Sequence, residues 1–256
     1  MTKVTAIACN TAREAVRNKV LYSILAFAVL VVAVAALFGS ASIGDQMKFV
    51  KDFSFMAVSL FGVVIAITLG VTMLGKELGR QTILNVLSKP VARWQFVLGK
   101  FLGLTATLAL VVGLMCGALV AIVGAIEGRV DVGLLQVAAT VVLELTVVVA
   151  AALLVSAIVV TPTLAGLFAA GVFVAGRSSK YLGYFTGEAH APGLRVAARL
   201  LYWLLPHFDR LNIADRVAYG DPVSAAYLAA SAAYALSYAG VLLVVTVVLF
   251  DRREFS

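Results

Sequence analysis

Six long apolar runs dominate the chain and decide what it can fold into: residues 20–38, 53–75, 101–126, 132–160, 162–176 and 223–250. A helix needs about 20 consecutive apolar residues to cross a bilayer. The chain is 62% hydrophobic and only 13% charged over 256 residues, where soluble domains carry about a quarter charged residues. A soluble core of this size could not hide that much apolar side chain, so most of it must face lipid. The runs show no two-residue alternation between short turns, which excludes a transmembrane β-barrel. The expected fold is an all-α polytopic membrane protein, a single domain over 1–256 with six transmembrane helices.

The fourth and fifth runs are separated by Thr161-Pro162-Thr163. Proline ends or kinks a helix and pushes the preceding residue out of the α region. Residues 132–176 are far more than one crossing needs, so the break is read as a turn between two spans. The first run begins after a long basic segment that contains Glu14, and it is expected to be a retained span rather than a cleaved leader.

The net charge of +7 does not indicate nucleic acid. The basic residues sit at the ends of apolar runs, not in one patch with interleaved aromatics. Lys3, Arg13, Arg17 and Lys19 precede the first run; Lys76, Arg80, Lys89, Arg93 and Lys100 lie between the second and third; Arg252 and Arg253 follow the last. The opposite short loops hold only Lys48, Lys51 and Arg129. This bias places both termini and the 76–98 segment in the cytoplasm. Cys9 and Cys116 are far apart and form no CxxC, so no disulfide framework is expected.

Two further segments are expected to be helical outside the spans. In 3–18, Val4, Ile7, Ala8, Thr11 and Ala15 gather on one face and Lys3, Asn10, Arg13, Glu14 and Arg17 on the other, the pattern of an interfacial helix. The outer loop 177–222 is too rich in aromatic and aliphatic residues for disorder. Within it, 194–206 suggests a helix at the outer membrane surface, ended by Pro206, with Asp215 or Asn212 capping a second short helix and the whole loop folding back as a lid.

Motifs for chemistry are few. Gly70–Glu77 reads GVTMLGKE, which mimics a phosphate-binding loop, but Glu77 stands where Ser or Thr must hold Mg²⁺ and the segment ends an apolar span. His190 and His207 are the only histidines and belong to no catalytic or metal motif. Glu144 lies near the middle of the fourth span. A carboxylate there is costly and faces the bundle interior. It serves either a substrate or proton site or a packing contact with a Thr or Tyr of a neighbouring span. Gly99, Gly103, Ala106, Gly113, Gly117, Ala121 and Gly124 form a seam of small residues that allows close helix approach.

The 76–98 segment is a polar insert between two spans. Glu77–Leu87 has a helical pattern, Ser88-Lys89-Pro90 breaks it, and Pro90 is placed to open the next helix, with Arg93, Trp94 and Phe96 anchoring it. Pattern alone leaves a force-transmitting helix and a solvated connector equally open. The stretch KELGRQTILNVLSKPVARWQFVLGKFLG, however, resembles the cytoplasmic segment of ABC-2-type transporter permeases, in the subgroup named for multi-copper enzyme maturation. IACNTAREAVRNKVLYSILAFAVLVV resembles that family's interfacial helix and first span, SAIVVTPTLAGLFAAGVFVAGR its turn between spans four and five, YWLLPHFDRLNIADRVAYG its outer loop, and LFDRREF its basic end.

The resemblance implies a multi-pass permease subunit of the inner (cytoplasmic) membrane, not itself an enzyme, with two permease copies or close relatives paired. Each docks a separate cytoplasmic ATPase through a coupling helix, here with Glu77, Arg80, Thr82, Leu87, Ser88 and Lys89 as ATPase contacts. ATP and Mg would be held by that partner, and no cofactor or metal by this chain. Export is the expected direction, with a periplasmic or extracellular accessory protein as a further partner and no nucleic acid. Two other classes compete. A membrane scaffold or assembly factor of an ATPase complex would keep the fold without transporting. A secondary transporter should show inverted repeats and several intramembrane charges, and Glu144 is the one clear charge.

Overall fold

A computed structural model describes residues 3–40, 46–79, 92–128, 132–159, 161–179, 181, 192–219, 221 and 223–252. Among them there are helices and no strands. In chain order these are α1 (Lys3–Val16), α2 (Lys19–Ser40), α3 (Gln46–Gly79), α4 (Arg93–Glu127), α5 (Val132–Ile158), α6 (Pro162–Arg177), α7 (Pro192–Leu204), a 3₁₀ turn (Phe208–Arg210), α8 (Ala214–Ala218) and α9 (Ala225–Arg252).

Among the described residues, four helices are long and apolar enough to cross a membrane: Lys48–Met73 in α3, Arg93–Gly124 in α4, Val132–Ile158 in α5 and Ala225–Asp251 in α9. The expected first and fifth spans correspond to shorter apolar helices, Lys19–Val31 and Pro162–Arg177. The chain is an all-α integral membrane protein. Helix α5 is apolar around its whole circumference, and 72% of its spanning window is buried, against 22% for α9. A helix without a polar face belongs at the centre of a bundle, and α5 packs against α3, α4, α6 and α9. Its neighbours approach closely where the sequence supplies small residues. A Cβ on Gly70 would lie 2.8 Å from that of Ala152, and one on Gly62 would lie 2.9 Å from Leu145 Cδ1.

The break between the fourth and fifth runs is present. α5 ends at Ile158, and α6 starts at Pro162 after Thr161 in extended conformation (φ −81°, ψ 118°). Pro162 sits at the first helical position, where its missing N–H costs no hydrogen bond. The other expected proline-initiated helix differs. α4 starts at Arg93 after an extended Ala92, and Gln95 closes the end by accepting the Ala92 amide through its side chain (3.3 Å). Pro90 and the break at 88–90 lie outside the described residues.

The N-terminal helix has the expected sidedness but a different neighbour. Thr11 and Ala15 are buried and Val4, Ile7 and Ala8 half-covered, while Arg13, Glu14 and Arg17 are exposed. What covers this face is the start of α4. Cβ atoms on Gly99 and Gly103 would lie 2.7 Å from Ile7 and 2.5 Å from the Ala8 carbonyl oxygen. The face looks weakly apolar because it packs on a glycine surface of the same chain. The lower half of the small-residue seam differs: Gly113, Gly117 and Gly124 have no non-local atom within 4 Å of where a Cβ would stand.

Candidate functional site

The segments expected on one side of the membrane gather at one end of the bundle. Arg93 donates to the carbonyl oxygens of Phe250 and Asp251, both at 2.8 Å, and lies 3.7 Å from the Asp251 carboxylate. This ties the start of α4 to the end of α9. Lys100, 3% exposed in its side chain, lies 3.9 Å from Glu14 and 5.7 Å from the centre of the Phe96 ring. A hollow of about 630 Å³ near this corner is lined by Asn10, Arg13, Arg17, Asn18, Lys19 and Met73, among others. Of the six expected ATPase contacts, only Glu77 falls in a described element, the last turn of α3. Its side chain is not described, and Arg80, Thr82, Leu87, Ser88 and Lys89 lie outside the described residues.

The other end carries the buried charge. Glu144 is 2% exposed on α5. Its partners are not a Thr or Tyr of a neighbouring span. Arg177 donates from Nη1 to Glu144 Oε1 at 2.6 Å, and the buried Ser59 hydroxyl of α3 donates to Oε2 at 3.3 Å. Arg177 is the last residue of α6, not part of a free loop, and its guanidinium reaches back into the bundle. Removing a carboxylate from water without a partner is strongly unfavourable, and a charge-assisted pair of this length offsets that cost. The sequence offered one clue: a lone arginine follows an apolar run that must pack near a lone intramembrane glutamate.

The 206–217 segment builds a roof over this pair. Phe208, Leu211, Ile213 and Val217 are buried in the main core, and the Phe173 and Phe208 ring centres are 5.3 Å apart. A Cβ on Gly176 would lie 2.5 Å from the Pro206 carbonyl oxygen, so only glycine lets the chain close down on the end of α6. Neither expected residue caps α8: the N-cap position is Ile213, Asn212 Oδ1 accepts the Ala214 amide (3.3 Å) from one residue earlier, and Asp215 sits inside the helix. Tyr234 and Tyr238 of α9 hold the segment from the side: the Tyr234 hydroxyl accepts the His207 amide (2.8 Å) and the Tyr238 hydroxyl donates to the Leu204 carbonyl (2.6 Å). The expected surface helix appears as α7, with Val196, Leu200, Leu201, Trp203 and Leu204 exposed. His190 lies outside the described residues.

Between the roof and α3, α5 and α6 is a cavity of about 340 Å³. Arg177 and Ser59 belong to its polar lining with Asp52, Asn212 and Asp215; Met56, Leu60, Val137 and Val141 form its apolar side. Among the described residues no three metal-ligating side chains come together. The arrangement offers charge, hydrogen bonding and an apolar wall.

No curated protein matches the chain. The sequence profile of the ABC-2 family transporter proteins matches residues 5–255, nearly the whole length. With its all-helical, membrane-spanning architecture, the chain belongs to the ABC-2 family of transporter proteins and is a membrane permease component of an ABC transporter.

Proposed function

We propose that this chain is a six-span permease subunit that pairs with a second copy or a close relative. It couples ATP hydrolysis by a separate cytoplasmic ATPase to export of a substrate. Both termini and the 76–98 segment face the cytoplasm, and Glu77, Arg80, Thr82, Leu87, Ser88 and Lys89 dock the ATPase. The family relationship gives the general expectation of an ABC ATPase partner. The observation that carries the coupling reading is the continuity of α3. One helix of 34 residues runs from the roof end, past Ser59, to Gly79 at the entrance of the docking segment. At 1.5 Å per residue it is about 51 Å long, so a push on the docking segment reaches the Ser59–Glu144–Arg177 cluster through one rigid element.

The test is co-purification of the tagged chain in mild detergent from its native host. A P-loop ATPase should accompany it. The combined Glu77→Ala and Arg80→Ala changes should cut its recovery about tenfold, the loss of one or two charged contacts, and leave membrane insertion unchanged. Undiminished recovery with the double variant would remove the docking assignment. Absence of any ATPase from an intact permease dimer would favour the secondary-transporter reading, which needs none.

A further inference from the structure

The hollow of about 630 Å³ beside α1 is lined by Arg13, Glu14, Arg17, Asn18, Lys19 and Met73, among others. Its place in the fold sets its depth in the membrane. Lys19 opens the apolar part of α2, and Met73 closes the spanning part of α3. Both residues mark the boundary between hydrocarbon and water at this end of the bundle. The apolar face of α1 is taken up by α4, where Gly99 and Gly103 receive Ile7 and Ala8. What α1 turns outward at this level is its polar face. Arg13 and Arg17 stand exposed there, one turn apart and therefore side by side.

The hollow is positive. Among the described residues no acid pairs with Arg13, Arg17 or Lys19, and Glu14 lies 3.9 Å from Lys100. The residues outside the described set cannot reverse the sign. Residues 80–91 hold Arg80 and Lys89 and no acid, while Glu77 follows Lys76 and Glu254 follows Arg253 in the chain. Asp251 is already 3.7 Å from Arg93. Over 1–19, 76–100 and 251–256, eleven bases face four acids, a surplus equal to the whole net charge of +7.

The hydrogen-bonding groups select an oxyanion. Asn18 Oδ1 accepts the Val20 amide at 3.0 Å, which leaves the Asn18 side-chain NH₂ to donate. Two guanidinium forks match the geometry of phosphate, and Lys19 adds an ammonium. Directly after Lys19, Val20 and Tyr22 are 47% and 53% exposed at the start of a membrane helix. Cations and donors at the membrane boundary, with an apolar surface leading away from them, suit a phosphate that carries acyl chains. A volume of about 630 Å³ is within the range for ligand pockets and holds a glycerophosphate headgroup.

We propose that this hollow binds the phosphate headgroup of an anionic phospholipid. Arg13, Arg17, Lys19 and Asn18 surround the phosphate, and the acyl chains run along Val20 and Tyr22 into the bilayer. The lipid ties the corner between α1 and α2 to its leaflet. The site goes beyond the permease reading and needs neither an ATPase nor transport in order to hold.

The test is native mass spectrometry of the full chain, as purified with its ATPase, in micelles titrated with phosphatidylglycerol. Phosphatidylcholine of the same acyl chains is the neutral probe. The expected result is one phosphatidylglycerol held per permease chain, more tightly than phosphatidylcholine. Arg13→Gln with Arg17→Gln should weaken its binding about tenfold or more, as removal of two cations beside an anionic lipid does. Arg13→Lys with Arg17→Lys should retain it, which separates loss of charge from damage to the fold. Arg195→Gln with Arg199→Gln, an equal loss of charge on α7, should leave it unchanged. Equal binding of the two lipids, unchanged affinity in the α1 glutamine variant, or an equal fall in the α7 variant overturns the proposal. Two further outcomes also overturn it. Displacement of the lipid by glycerol phosphate marks a site for a soluble phosphate. Binding that is seen only after the ATPase is stripped away marks a protein contact.

Discussion

The two ends of the bundle both pack closely on glycine but bury charge in different ways. At the α1 end, Gly99 and Gly103 bring α1 so near α4 that Cβ atoms would collide with Ile7 and the Ala8 carbonyl, and Lys100 is sealed in beside Phe96. At the roof end, a paired Glu144 and Arg177 stand beneath a cavity of about 340 Å³. At the α1 end the lysine lies 3.9 Å from Glu14, beside a hollow of about 630 Å³. At the roof end the carboxylate is 2% exposed and paired at 2.6 Å. Helix α3 runs between them, and the predictions address this difference in how charge is held.

The largest effect is expected from Arg177→Ala, which leaves Glu144 buried without its counter-charge. Breaking a buried pair costs about 3–5 kcal/mol. Because the Arg177 side chain is 34% exposed, water screens part of this and about 2–4 kcal/mol is expected. Denaturant unfolding in detergent should show it, and Glu144→Gln combined with Arg177→Gln should recover most of the loss. If the single and double variants are equally unstable, the pair is not the organising contact of the roof end.

Next comes Gly103→Ala. The added methyl would stand 2.5 Å from the Ala8 carbonyl oxygen and 2.7 Å from Thr11 Cβ, and overpacking of this kind costs about 1–3 kcal/mol. Gly113→Ala on the same helix meets no atom within 4 Å and should change stability by no more than about 0.5 kcal/mol. Thermal unfolding of the two variants side by side tests whether the tight packing of α4 is confined to its first turns.

The smallest effect concerns His207 in the roof segment. Its Nε2 is buried without a hydrogen-bond partner, and its ring lies edge-on to Tyr202 at 4.4 Å. Burial, and then the Arg210 charge, hold its pKa below the ordinary 6.5, with Asp209 and the Leu205 backbone opposing. The closed roof thus binds a proton less readily than the open one. Its stability is fully present above the ordinary histidine value and falls as pH drops below it. The cost should stay under about 1 kcal/mol at this partly exposed site. Hydrogen exchange of 205–219, corrected for intrinsic rates, should rise between pH 7.5 and 5.5 in the native protein but not in His207→Asn.

Much of this organisation was legible beforehand. The apolar runs, the Pro162 break and the covered face of α1 all follow from local properties: length against bilayer thickness, a missing amide and a helical period. The partner of that α1 face was not legible, because a run of glycines reads the same whether it meets lipid or another helix. Glu144 stood out because an intramembrane carboxylate is rare. Its partners could not be read, since Ser59 and Arg177 lie 85 and 33 residues away and their meeting depends on how three helices align.

By itself the sequence determined that the chain enters a membrane as helices, where one span stops for the next, and which residues are too polar to face lipid. These are one-dimensional consequences of hydropathy and backbone sterics. Only the tertiary structure decided that Arg177 turns inward, that 206–217 closes as a roof, that α3 continues unbroken to Gly79, and that a cavity remains between them. Those features rest on contacts between residues far apart in the chain, and such contacts exist only once the helices have packed.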